Sequence, residues 1–155
     1  MMLGGGLGIL FKVVTAFTLA HSITLSLAVL NLVSLPTPFI ESAIALSVVW
    51  VAAENLWRKE VRHRWLLTFG FGLIHGLGFA GILQEMNLAT TNLALTLASF
   101  NIGVEIGQLC VVTIAFFAVR WLQKYSWALH LRHWVSLGTI AIGSFWFAQR
   151  VGLVF

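Results

Sequence analysis

The chain has 155 residues, of which 59% are hydrophobic and 9% are charged, with a formal net charge of +4 and no aspartate. A soluble domain carries about 25% charged residues, so this composition excludes an ordinary soluble globular domain. It also excludes an intrinsically disordered chain, which would be far less apolar, and a disulfide scaffold, because the single cysteine cannot pair within the chain.

Five apolar runs are long enough to cross a bilayer, for which a helix needs about 20 residues. Because lipid offers the backbone no hydrogen-bond partners, these runs are predicted to be helical. The predicted fold is therefore all-α: a polytopic transmembrane bundle that forms a single domain, residues 1–155. In chain order, the predicted spans are Val13–Val33, Phe39–Trp57, Trp65–Leu83, Leu93–Leu122 and Trp134–Val154.

The basic residues predict how the bundle is oriented. All but Arg150 fall on the side where the first span begins, and four tryptophans flank the same ends, as an interfacial aromatic belt would. The positive-inside rule makes that side cytoplasmic, so the N-terminus is predicted inside and the C-terminus outside. His63, His130 and His133 are predicted to lie in loops on this side. Its basic residues are Lys12, Arg58, Lys59, Arg62, Arg64, Arg120, Lys124 and Arg132; its tryptophans are Trp57, Trp65, Trp121 and Trp134.

Two histidines lie inside the spans, where an ionisable side chain costs roughly 2.5 kcal/mol or more on insertion scales. His21 shares a broad polar face of the first span, which is typical either of interhelical hydrogen bonding or of a ligand or proton site. His75 lies in a glycine-rich stretch of the third span. Gly72 and Gly76 are spaced for close helix packing, while the five glycines within twelve residues of this stretch also leave open volume beside the imidazole for an ion or water. The polar neighbours of His21 are Thr15, Thr18, Ser22, Thr24 and Ser26.

Two glutamates also fall within the spans. Glu105 lies near the middle of the fourth span, on one stripe with Asn101 and Gln108. A carboxylate at this depth must be neutral, paired with a cation, or bound to a metal. Glu54 lies about one turn from the cytoplasmic end of the second span, where it is functional, extends to the membrane interface, or pairs with Arg58 at i+4.

The candidate metal ligands are therefore His21, His75, Glu105 and Glu54. Two imidazoles with carboxylates suit nickel, cobalt, zinc, iron or manganese, and do not favour Cu(I). In the predicted mechanism, the two neutral imidazoles and Glu105 replace part of the water shell of the ion, and Glu54 acts as an inner relay or release site. Because protonation of the ligands opposes metal binding, movement of the metal and of protons should be coupled.

At these residues the sequence resembles the HupE/UreJ family of hydrogenase- and urease-accessory membrane proteins, in its HupE/UreJ-2 branch. The resemblance implies a role as a nickel permease or nickel-incorporation accessory, with His21, Glu54, His75 and Glu105 as the intramembrane metal set. Family members commonly carry an additional earlier membrane helix with an Asp-His pair, so we expect this chain to lack an upstream helix. The segments that carry the resemblance are Phe17–Leu25, Ala53–Asn55, Phe71–Ala80 and Asn101–Gln108.

The favoured interpretation is an inner-membrane protein that passes or captures a divalent transition metal, rather than an enzyme. Its expected partners are the lipid bilayer, the ion, and either further copies of itself or a metalloenzyme assembly partner. Nucleic acid is not expected, because no aromatic-basic groove pattern accompanies the positive charge. Three alternatives stay open: an intramembrane metalloenzyme, a b-type haem subunit with His21 and His75 as axial ligands, and a structural subunit without an ion.

Overall fold

A computed structural model describes residues 7–57, 63–85 and 93–153. Within these ranges every regular element is a helix, so the predicted all-α fold with five helices is confirmed. Of the basic residues used to predict orientation, Arg58, Lys59 and Arg62 lie outside the described ranges. The helices are α1 Leu7–Val29, α2 Thr37–Trp57, α3 Arg64–Glu85, α4 Leu93–Leu122 and α5 Ala128–Arg150.

The first helix ends four residues before the predicted Val33, because Asn31 adopts a left-handed backbone conformation with φ 56°. The Asn31 N–H donates to the Ala28 carbonyl at 3.0 Å, and the Leu32 N–H donates to the Leu27 carbonyl at 2.9 Å. This pair of hydrogen bonds is the Schellman motif, which satisfies the last carbonyls of a helix and turns the chain away. Asparagine tolerates the left-handed region better than most residues.

The fifth helix is shifted towards the N-terminus relative to the predicted span Trp134–Val154. It begins at Ala128, so His130 and His133 lie in its first turns and not in a loop, although both are exposed as expected. It ends in a second Schellman motif at Gly152, with φ 76°, where the Leu153 N–H donates to the Ala148 carbonyl at 2.8 Å.

The helices pack in the spatial order α4, α1, α3, α2, α5. The most extensive contact joins α1 to α3, followed by α2 with α5, while α1 with α4 and α2 with α3 make smaller contacts. The row is curved, because a central cavity is lined by residues from all five helices. The fold is thus an open ring of helices, with α4 and α5 on either side of its gap.

Gly72 and Gly76 bring α3 against the backbone of α1, which confirms the predicted close packing. A Cβ built at Gly72 would lie 2.5 Å from the Phe17 carbonyl oxygen and 2.9 Å from the Ala20 Cβ. A Cβ at Gly76 would overlap the His21 carbonyl and the Thr24 hydroxyl. These two glycines therefore accommodate α1 itself and do not provide open space beside His75.

Contacts between helix ends show that α1 and α3 run in the same direction and that α5 runs opposite to α2. The Lys12 ammonium lies 4.9 Å from the centre of the Trp65 ring, which places the starts of α1 and α3 at one end. At the other end, the Arg150 guanidinium lies 2.9 Å from the Glu41 carboxylate, which joins the end of α5 to the start of α2. We call the end with Lys12 the basic end. Its location in the cytoplasm remains a prediction.

Three of the described helices are long and apolar enough to cross a membrane: Gly8–Val29, α2 and α4. The other two helices contain more polar and small residues, since α3 is glycine-rich and α5 opens with His130, Arg132 and His133. Their role as spans stays a prediction. On α4, large apolar side chains such as Ile114 are up to 70% exposed, as expected of a surface that faces lipid.

Candidate functional site

His21 is the most deeply buried of the candidate ligands, with 2% of its surface exposed. The Asn101 side chain of α4 lies beside it, and the His21 and His75 imidazoles both contact the Phe17 ring. Its Nδ1 atom has no hydrogen-bond partner among the described residues, and neither has the Asn101 Oδ1 atom. Because buried polar atoms are rarely left unpaired, this spot can take a small polar ligand or ion.

His75 lies on α3 with its tautomer fixed by the backbone. Its Nδ1 lies 2.8 Å from the Phe71 carbonyl oxygen one turn earlier, so in the neutral ring Nδ1–H is the donor. The Nε2 atom then carries the lone pair. A hydrogen bond of this kind to one ring nitrogen is the usual device that orients a histidine for metal coordination through the other.

Three phenylalanines surround the two imidazoles. The Phe17 ring stacks on His21 with centroids 6.0 Å apart and meets His75 edge-on at 5.3 Å. Phe100 stacks against His21 at 6.3 Å, and Phe79 approaches its edge at 5.6 Å. The sequence interpretation missed these rings, although Phe17 precedes His21 by four residues and Phe79 follows His75 by four, the spacing of neighbours on a helix.

Two contacts between polar side chains connect α1 to α4 next to this aromatic group. The Thr15 hydroxyl donates to Glu105 Oε1 at 3.2 Å, and the Thr18 hydroxyl lies 3.3 Å from Gln108 Oε1. The polar face predicted on the first span therefore does meet the predicted stripe of α4. The Thr15–Glu105 contact is an interhelical hydrogen bond, of the kind that helps membrane helices associate.

Glu54 is buried near the end of α2, with 7% of its surface exposed. The expected partner Arg58 lies outside the described residues, but Arg64 at the start of α3 places its guanidinium 4.0 Å from the carboxylate. A carboxylate at this depth is costly unless it is paired or hydrogen-bonded. The sequence interpretation did not single out Arg64 as a partner for Glu54.

Glu54 and His75 line the same central cavity, whose volume is about 600 Å³. Arg64 and His75 are 11 positions apart on α3, so the cavity follows this helix for about 16 Å from the basic end towards its middle. Its polar lining also includes Ser47, Thr68, Ser136 and Thr139. The cavity thus connects an imidazole at mid-helix with a buried carboxylate near the helix ends.

Comparison with known proteins identifies the family of this chain. Residues 1–150 match the family model described as HupE / UreJ protein. The chain belongs to the HupE/UreJ family. The resemblance carried by the four sequence segments is thereby confirmed, and membership of this family suggests a role in membrane metal transport or as an accessory protein. No curated protein and no solved structure matches the chain.

In this HupE/UreJ-family protein the four candidate ligands fall into three places. His21 and His75 share the Phe17 ring, Glu105 hydrogen-bonds to α1, and Glu54 lies beside Arg64 in the cavity that His75 also lines. Within the described ranges, no group of three or more His, Cys, Asp or Glu side chains is arranged to hold a metal ion. Metal binding by these residues remains a prediction.

Proposed function

We propose that this protein is a multi-pass protein of the cell inner membrane that carries or captures a divalent transition-metal ion. The ion is the substrate, with nickel the first candidate from the family resemblance, and cobalt, zinc, iron and manganese as competitors suited to the same ligands. His75 and His21 supply imidazole nitrogens, and Glu54 supplies a carboxylate nearer the basic end.

The observation that carries this proposal is the cavity shared by His75 and Glu54. A hydrated cation inside a bundle of apolar helices needs polar groups at intervals, because lipid and apolar side chains cannot replace its water. His75 offers Nε2, since Nδ1 is engaged by the Phe71 carbonyl. Glu54 offers an anionic group along the same space.

The distribution of the ligands supports passage over permanent retention. Conduction requires sites that bind an ion well enough to admit it and weakly enough to release it. Ligands placed singly and in pairs leave water in the remaining coordination positions, so the ion can exchange between them. An intramembrane metalloenzyme, in contrast, predicts a tightly held ion that survives purification.

Uptake of radioactive nickel tests the proposal in a bacterial strain that lacks its own nickel transporters. We expect His75→Ala and Glu54→Gln each to reduce the initial uptake rate at least about tenfold, because a lost ligand removes more than about 1.4 kcal/mol of binding. His133→Ala and Glu41→Gln are matched controls, since these residues lie away from the central cavity. Membrane abundance of each variant is measured by immunoblot.

Two outcomes would contradict the proposal. Uptake that is unchanged in both His75→Ala and Glu54→Gln would remove the cavity from the path of the ion. Equal losses in the His133→Ala control would show that any histidine change lowers uptake indirectly. Competition by excess cobalt, zinc or manganese in the unmodified protein then ranks the ions, because all of them suit imidazole and carboxylate ligands.

Glu105 allows the structural alternative to be separated from a metal role. Glu105→Gln keeps an oxygen that can accept the Thr15 hydroxyl, whereas Thr15→Val removes that hydrogen bond and keeps the carboxylate. If Glu105 serves the ion, only Glu105→Gln abolishes uptake. If it serves helix packing, Glu105→Gln transports normally and Thr15→Val weakens the fold.

A further inference from the structure

A second cavity lies in the gap between α4 and α5 at the basic end. These two helices are joined by a short turn, yet α4 packs on α1 and α5 packs on α2, so they diverge from their connection. The cavity between them has a volume of about 590 Å³. Asn55 and Val135 line both this cavity and the central one, so the two spaces adjoin.

The walls of this second cavity are those of an amphipathic ligand site. The faces of α4 and α5 supply aliphatic side chains, and the turn between the helices supplies polar ones together with Arg132 of α5. Such a combination of apolar walls and a few polar groups, in a volume of this size, is typical of ligand pockets. The aliphatic residues are Val119, Leu122, Leu129, Leu131 and Val135; the polar residues of the turn are Gln123, Tyr125 and Ser126.

Arg132 indicates the charge of the ligand. Its Nε atom is buried and has no hydrogen-bond partner within the described part of the chain. A guanidinium cannot lose its charge in a protein, so a buried N–H of this group calls for an anionic or strongly polar acceptor. The start of α5 lines the same cavity through Ala128 and Leu129, and the positive end of its helix dipole also favours an anion there, although the Ala128 N–H already donates to the Tyr125 carbonyl at 3.2 Å.

The surroundings indicate that the anion belongs to a membrane lipid. Three aromatic rings meet at the same turn: Trp121 approaches Tyr125 edge-on with centroids 5.3 Å apart, and Tyr125 stacks on Trp127 with centroids 5.8 Å apart. Aromatic side chains of this kind mark the headgroup level of a bilayer. Basic pockets between membrane helices bind anionic headgroups.

We infer that the gap between α4 and α5 binds one anionic glycerophospholipid. Its phosphate lies at Arg132 Nε and the start of α5, and its acyl chains run between the aliphatic faces of the two helices. The lipid closes the side opening of the helix ring and separates the central cavity from the bulk bilayer. This site does not depend on which ion, if any, the central cavity carries.

Native mass spectrometry of the purified full chain tests this site. The detergent-solubilised protein is titrated with phosphatidylglycerol, with phosphatidylcholine of the same acyl chains, and with glycerol phosphate. We expect one phosphatidylglycerol to bind at least about tenfold more tightly than phosphatidylcholine, because both lipids carry a phosphate but the quaternary ammonium of phosphatidylcholine offsets that charge and is repelled by Arg132. Arg132→Gln should abolish this preference, whereas Lys124→Gln, which lies outside the cavity lining, should keep it.

A cavity-filling variant distinguishes a lipid from a free anion. Val119→Trp occupies the space for the acyl chains without altering Arg132, so it should block phosphatidylglycerol. Equal binding of the two lipids by the unmodified protein would overturn the inference, as would binding of glycerol phosphate as tight as that of the lipid. Retention of the full preference in folded Arg132→Gln, with folding verified by circular dichroism, would also overturn it.

Discussion

Replacing Gly76 with alanine should weaken the bundle at the contact that sets the positions of both imidazoles. The added Cβ would overlap the His21 carbonyl oxygen and the Thr24 hydroxyl, and would lie 3.0 Å from the Leu25 backbone nitrogen. The Thr24 side chain can rotate away, but the two backbone atoms can move only if α1 moves as a whole. The substitution therefore separates α1 from α3.

Overpacking of this kind costs about 1–3 kcal/mol, and the backbone contact favours the upper part of that range. Alanine gains about 0.5–1 kcal/mol over glycine inside a helix, which offsets part of the loss. We expect Gly76→Ala to lower the free energy of unfolding by about 2 kcal/mol. Unfolding by sodium dodecyl sulfate in mixed micelles, followed by circular dichroism, measures this quantity.

Gly70→Ala is the matched control, because Gly70 lies on the same helix and a Cβ there would meet no atom within 4 Å. It should be neutral or slightly stabilising, since only the helix preference changes. Equal stability of Gly76→Ala and Gly70→Ala would refute the reasoning, because it would mean that the close approach of α1 and α3 does not constrain the fold.

Two further predictions concern the helix ends. Asn31→Val should lower the free energy of unfolding by about 1–2 kcal/mol, because a β-branched residue is strained at φ 56°. Asn31→Gly should leave the free energy of unfolding unchanged, and equal values for the two variants in the same titration would contradict this prediction. Arg150→Gln should lower the free energy of unfolding by at most about 1 kcal/mol, because the ion pair of Arg150 with Glu41 is partly exposed. This loss of stability should become smaller in 1 M salt, where the screening length is about 3 Å. A loss of stability that salt does not affect would contradict an electrostatic origin.

The sequence indicated which ionisable residues are candidates for the site, but it did not indicate which side chains they contact. Glu54, His75, His21 and Glu105 stand out in a chain with few charges because each is costly within an apolar helix. Their contacts depend on other helices. Arg64 as the partner of Glu54 could not be read from helical spacing, because the two residues belong to different helices.

The aromatic group around His21 shows a different limit. Phenylalanine is common throughout this chain, so the few rings that contact the imidazoles do not stand out by residue type. Only the i, i+4 spacing of Phe17 and Phe79 from the histidines hinted at them. Phe100 stacks on His21 from another helix, and no local pattern indicates that contact.

The amino-acid order by itself determined that this chain forms apolar helices, since runs of about 20 apolar residues must satisfy their backbone internally in lipid. It also determined where α3 can approach a neighbour, because Gly72 and Gly76 lack side chains on one face. The tertiary structure decided that α1 is that neighbour, that His75 and Glu54 line one cavity, and that α4 and α5 diverge. Helix formation depends on neighbours along the chain, whereas these contacts depend on how the helices pack.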